Sequence, residues 1–240
     1  LREYHVPAER VVTISRGIPI EQFHPTAVSA ERVIQLSEQW RLPDNAGVIL
    51  MPGRLTRWKG HHVLVEALSR MKRKDVVVVF VGDDQDKSKY RKELEETIES
   101  RSLGGQIRIT GHCIDMPAAY MLAGVVVSAS TEPEGFGRVP VEAQAMGRPI
   151  IATDHGGARE TIRRGETGWL VPPHDPDSLA ASIDQALSLT PNQRALLATR
   201  AMAHAANSFT RELMCEKTLD VYAELLRQRY GQSGRIARNG

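Results

Sequence analysis

Residues 125–146 read VVVSASTEPEGFGRVPVEAQAM. Three β-branched residues with no polar alternation open the stretch, the pattern of a strand buried on both faces. A turn-forming segment with Pro133, Gly135 and Gly137 follows. Then comes a stretch suited to a helix through Met146, with Pro140 in the first turn, where a missing N–H costs nothing. Strand, glycine-bearing loop and helix together are the unit of an open α/β sheet. Its loop lies at the carboxyl end of the strand, the edge where such sheets hold ligands.

The unit repeats outward in both directions. Similar runs occupy Val48–Met51, Val76–Val81, Ile107–Thr110, Pro149–Ala152 and Trp169–Val171, with an earlier one at Val11–Ile14. Amphipathic stretches between them predict helices near 60–72, 87–101, 139–146 and 179–189. Gly53, Gly82 and Gly111 each follow a run and allow a sharp turn. The expectation is an α/β fold, a parallel sheet flanked by helices, with a core from about 45 to 190. From Pro191 the chain reads as helical, over 195–206 and 210–229, with Thr210 a suitable N-cap.

The 240 residues carry a formal net charge of +2, with 41% hydrophobic and 25% charged residues. This balance gives no reason to expect nucleic acid or an anionic membrane as the main partner. Cys113 and Cys215 lack metal-ligand spacing and are too few for a disulfide framework, so they read as reduced thiols of a cytoplasmic protein. No apolar run approaches the ~20 residues of a spanning helix.

Two segments carry chemistry. In GRLTRWKG, residues 53–60, Arg54 and Lys59 flank a loop that precedes a helix. Helix N-termini favour anions. An arginine forks onto two phosphate oxygens and a lysine supplies a compact charge. The plain alternative is a solvated basic loop. In residues 132–143, Glu134 and Glu142 flank Gly135, Phe136, Gly137, Arg138 and Val139, whose glycines let the backbone approach a ligand and whose amides can face an anion. Acids beside such a cradle make sense as ligands for hydroxyl groups, one set on each side. Alternatively, each is a surface acid on or near a helix.

Taken together, PEGFGRVPVEAQAMGRPIIAT, GRLTRWKG, VGDD, ITGH, HGGARETIRRGETGWLVPPHDPDSLA and SRGIPIEQFHP resemble, in order and spacing, the family 4 retaining glycosyltransferases of GT-B fold. The resemblance covers nearly the whole chain and identifies it as the C-terminal, nucleotide-sugar-binding half. It implies a Rossmann-like domain over 26–208, preceded by the end of another domain and a linker over 1–25. A C-terminal helix over 209–230 and a disordered tail over 231–240 would follow. It further implies that Arg54 and Lys59, with Gly53, hold the donor diphosphate, and that Glu134 binds hydroxyls of the transferred sugar. Gly135, Phe136 and Gly137 would contact sugar and phosphate through main chain. The amides of Arg138 and Val139 would meet the distal phosphate, Glu142 the ribose, and the loop around His112 and Cys113 the base. The acceptor, a glycan, glycolipid or lipopolysaccharide, would bind the domain outside this chain, and peripheral membrane contact is left open. No metal or other cofactor is implied. An epimerase or phosphorylase on the same fold, and a nucleotide-binding module without activity of its own, are the alternatives.

Two residues depart from the family pattern. Arg138 stands where an aliphatic residue is usual, its side chain open to phosphate or solvent. Arg16 stands where asparagine is frequent. Asp84-Gln85-Asp86 has a metal-binding look but reads more simply as a turn. His61 and His62 are adjacent, hence on different helix faces, and make a poor metal pair. His155 borders the pocket or a plain loop, and Trp40, Trp58 and Trp169 read as packing residues.

Overall fold

The computed structural model describes residues 6–83 and 89–236. Six strands form one parallel sheet: β1 (Gly47–Pro52), β2 (Val76–Val81), β3 (Ile107–Gly111), β4 (Val125–Ser128), β5 (Ile150–Thr153) and β6 (Trp169–Val171). Their spatial order is β3-β2-β1-β4-β5-β6. The chain winds outward from β1 to one edge, crosses back to β4 and winds to the other edge. The switch point therefore lies between β1 and β4.

Both faces of the sheet are covered. Ile49, Met51, Val78, Phe80, Val125 and Val127 point to one face, against α2 (His61–Arg70), α3 (Lys89–Ser100) and α7 (Pro176–Leu187). Val48, Leu50, Val77, Val79, Val126 and Ile150 point to the other, against α1 (Ala30–Gln39), α4 (Met116–Leu122), α5 (Arg138–Ala145) and α8 (Pro191–Ser208). This two-sided burial is why the strands carry apolar side chains at consecutive positions. Short α6 (Ala158–Thr161) follows β5, and α9 (Arg211–Ile236) ends the described chain.

The run Val11–Ile14 is not a strand. Val11 and Val12 are exposed, and among the described residues no strand pairs with them; β-branched composition alone does not make a strand. Within the expected linker, Ile18 is fully buried and Phe23 nearly so. The backbone of Ile18 bonds to Phe209 and Arg211, which fastens this segment to the start of α9. Thr210 caps α9 through the Leu213 amide at 3.0 Å. Helix α9 then continues to Ile236, past the Gly231 where the sequence predicts a disordered tail. Helices α1, α4 and α6 are additional to the predicted set. Asp84-Gln85-Asp86 lies outside the described residues.

Candidate functional site

The carboxyl ends of β1 and β4 lie side by side, and each leads into a loop that the other end supports. Loop 53–60 leaves β1. The Gly53 amide donates to the Val81 carbonyl at 2.8 Å and the Leu55 amide to the Asp83 carbonyl at 3.0 Å, tying the loop to the end of β2. Gly60 closes the loop at φ 80°, and a Cβ there would fall 1.9 Å from the Ala129 carbonyl oxygen just after β4. The Thr131 amide donates to the Trp58 carbonyl at 2.7 Å. These contacts seat Lys59 over the loop that follows β4.

There Lys59 Nζ lies 2.7 Å from Glu134 Oε2 and 4.4 Å from the centroid of the Trp58 ring. The Ser130 hydroxyl donates to the other carboxylate oxygen of Glu134. Ser130 is held in turn: its carbonyl accepts from the Thr153 hydroxyl and from His155 Nε2, both at 2.8 Å. The Gly157 amide donates to the Glu134 carbonyl at 2.8 Å. Glu134 is thus fixed through both backbone and side chain before any ligand is present.

Gly137, at φ 74°, is the N-cap of α5, and no side chain caps this end of the helix. The amides of its first turn are therefore available to a ligand. One turn in, Glu142 is buried. Its Oε1 pairs with an Nη of Arg138 at 2.7 Å, and its Oε2 accepts from the Tyr120 hydroxyl at 2.8 Å. Burial, reinforced by the Glu142 carboxylate, pushes the Tyr120 pKa well up, so Tyr120 remains a donor.

Two clefts adjoin over this edge. One, of about 710 Å³, is lined by Thr13–Arg16, Trp58, Lys59, Pro133–Val139 and Glu160. The other, of about 590 Å³, takes in Gly53, Arg54, Asp83, His112, Cys113, Met116 and Glu142. Trp58, Lys59, Glu134 and Arg138 line both. All twelve candidate residues named from the sequence therefore border one groove. Among the described residues Arg54 has no ion-pair partner. Burial raises the Cys113 pKa, which keeps it a neutral thiol against the apolar wall. The wall's position is set by Asp115, which caps α4 through the Ala118 amide while Arg32 of α1 holds both its carboxylate oxygens. Phe136 lines the groove, and its ring packs edge-on against Phe209 at 5.7 Å.

Ser130 and Tyr120 belong to the site and are absent from the sequence reading. Ser130 could be inferred from its place beyond the end of β4. Tyr120, distant in sequence from Glu142, carries no signal except that a buried phenol needs a partner. His155 acts behind the groove, on Ser130. His61 is fully buried, its ring edge-on to Phe80. Among the described residues, no group of three or more His, Cys, Asp or Glu could hold a metal ion.

A doubly wound α/β domain with cations, fixed carboxylates and uncapped helix amides at its switch point is built to take a ligand that is anionic at one end and rich in hydroxyls at the other. Residues 33–202 match the family described as glycosyl transferases group 1, and the chain belongs to that family. It is 32% identical over 211 residues to D-inositol 3-phosphate glycosyltransferase 1 of Catenulispora acidiphila, a match spanning 85% of this chain and 49% of that protein. A glycosyltransferase from Rickettsia africae superposes with a TM-score of 0.91 at 37% identity, covering 93% of this chain and 59% of that one. Anabaena HepE, solved with UDP and glucose, gives 0.83 at 29% identity, covering 92% and 59%. The chain thus spans about half the length of the curated relatives it matches. Among the described residues no helix is long and apolar enough to cross a membrane.

Proposed function

We propose that the groove binds a nucleoside diphosphate sugar. The chain is then the donor-binding part of a glycosyltransferase that passes the sugar to a hydroxyl acceptor, with retained anomeric configuration and without a metal. Arg54, Lys59 and the first amides of α5 receive the diphosphate, Glu134 accepts hydrogen bonds from sugar hydroxyls, and Glu142 does so from the ribose. His112 and Cys113 border the base. As the glycosidic bond breaks, negative charge grows on the departing diphosphate, and the fixed cations and amides stabilise it. Glu134 holds the ring so that the anomeric carbon faces its acceptor. The acceptor, a glycan or glycolipid hydroxyl or a phosphorylated polyol like that in the name of the Catenulispora relative, binds through the part of the protein outside this chain. The expected setting is the cytoplasm, with peripheral membrane contact through that other part.

The observation that carries the reading is the Lys59–Glu134 pair, 2.7 Å apart astride the two clefts and beside the start of α5. A cation suited to phosphate and a carboxylate suited to hydroxyls meeting at one point of the groove supports a ligand that carries both groups. The test is a melting screen of the 240-residue chain against UDP-, GDP- and ADP-sugars, with UDP-glucose first because HepE has been solved with that donor. At a hundred times Kd, binding stabilises by about 2.7 kcal/mol, or roughly 5–10 °C for a chain of this size. No shift with any of the three bases at millimolar concentration would overturn the reading.

A further inference from the structure

Arg138 stands where the resemblance leads one to expect an aliphatic side chain, and it lines both clefts of the groove. It is the first residue of α5, where the helix dipole disfavours a cation and where no acidic residue offsets it within the first turn. Its partner is Glu142, one turn on. The two sides of that pair differ in freedom. The Glu142 side chain is 8% exposed and pinned at Oε2 by Tyr120, whereas the Arg138 side chain is 58% exposed.

We propose that Arg138 is a donor-operated switch, occupying Glu142 in the empty groove and passing to the diphosphate when it binds, which frees Glu142 Oε1 for a ribose hydroxyl. The inference rests on the nucleotide-sugar reading of the same groove. The guanidinium is little desolvated in this pair, so leaving it costs Arg138 little, and the Tyr120 hydroxyl still partners the buried carboxylate. A diphosphate offers a denser charge and several oxygens to the same guanidinium, so the exchange is favourable. Tyr120 takes one acceptor position of the carboxylate at Oε2 and Arg138 another at Oε1, so a ribose hydroxyl gains the larger share of Glu142 once Arg138 leaves. Phosphate binding therefore prepares the ribose site, and the two ends of the donor bind cooperatively. A leucine here would leave Glu142 permanently open and give no such coupling.

Calorimetry on the full chain tests this with separate probes: UDP, GDP and ADP to find the base, then the matching nucleoside and inorganic pyrophosphate. In the unmodified chain, saturating pyrophosphate should tighten nucleoside binding by about fivefold or more, the scale of an ordinary coupling between sites. In Arg138→Leu the nucleoside alone should bind more tightly than in the unmodified chain, pyrophosphate more weakly, and the coupling should vanish. Arg138→Gln should behave likewise. A merely structural role would weaken both ligands together, and that result, or coupling that persists in both variants, overturns the switch. A chain that binds a nucleoside diphosphate without coupling loses the switch and keeps the donor site, whereas a chain that binds none of the three loses both.

Discussion

Lys59 and Glu134 neutralise each other across 2.7 Å with both side chains mostly buried, so neither is free to wander before a ligand arrives. A diphosphate entering beside Lys59 adds a second acceptor to an ammonium that has three donors. Lys59→Ala should accordingly weaken nucleoside diphosphate binding roughly tenfold to a hundredfold, the worth of a charge-assisted hydrogen bond, and leave nucleoside binding nearly unchanged. Titrating both ligands against the variant checks this, and equal losses would remove the phosphate role. At this scale the sequence exposes residue types and spacings within one segment. The i,i+4 relation of Arg138 and Glu142 is visible in the string, and so is the closeness of both acids to the glycines. The meeting of Lys59 with Glu134, 75 positions on, is not, nor is that of Tyr120 with Glu142.

The elements that carry the site are held by backbone contacts as much as by their side chains. Gly60 combines a left-handed conformation with a Cβ position 1.9 Å from the Ala129 oxygen, so no side chain fits without parting the loops after β1 and β4. Gly60→Ala should cost about 2 kcal/mol or more, a fall in Tm of at least roughly 4 °C, and should also weaken diphosphate binding because Lys59 is displaced. A melting curve that matches the unmodified chain would show that the packing there is loose. Strands β1, β2, β4 and β5 were legible because burial on both faces leaves nearly unbroken apolar runs, whereas β3, at the sheet edge, alternates apolar with polar residues. Val11–Ile14 has a similar composition but pairs with no strand among the described residues, and Val11 and Val12 remain exposed. Helices α4 and α6 span only 7 and 4 residues, too short to show a period. What stabilises α4 is Asp115, which caps it and binds Arg32 from α1, 83 positions earlier. Arg32 in turn is the main reason the Asp115 pKa lies below the usual carboxylate range.

On the scale of the whole molecule, His61 ties global stability to pH. Burial lowers its pKa from 6.5 to about 4. The unfolded chain therefore binds a proton between those values that the folded chain refuses, and stability present above pH 6.5 is lost as pH falls toward 4. From pH 8 to pH 5 the loss from this residue is about 2 kcal/mol. His61→Leu removes the titrating ring and keeps an apolar side chain in its place, so denaturant unfolding at the two pH values should show a shallower decline. His62 and His204, lowered chiefly by burial as well, would maintain the remainder. An unchanged decline would mean that His61 is not the group responsible. Sequence by itself determined the parallel α/β class, the family and the twelve residues of the groove. The class follows from local periodicity and turn chemistry, each confined to a short stretch of chain, and the family and the twelve residues from the resemblance carried by the order and spacing of the motifs. Only the tertiary structure decided that the sheet reverses between β1 and β4, that Ser130 and His155 stand behind Glu134, and that Glu142 is already occupied by Arg138 and Tyr120. Those facts depend on which strands pair and which surfaces meet. The packing of distant segments sets that, and a string read in windows does not contain it.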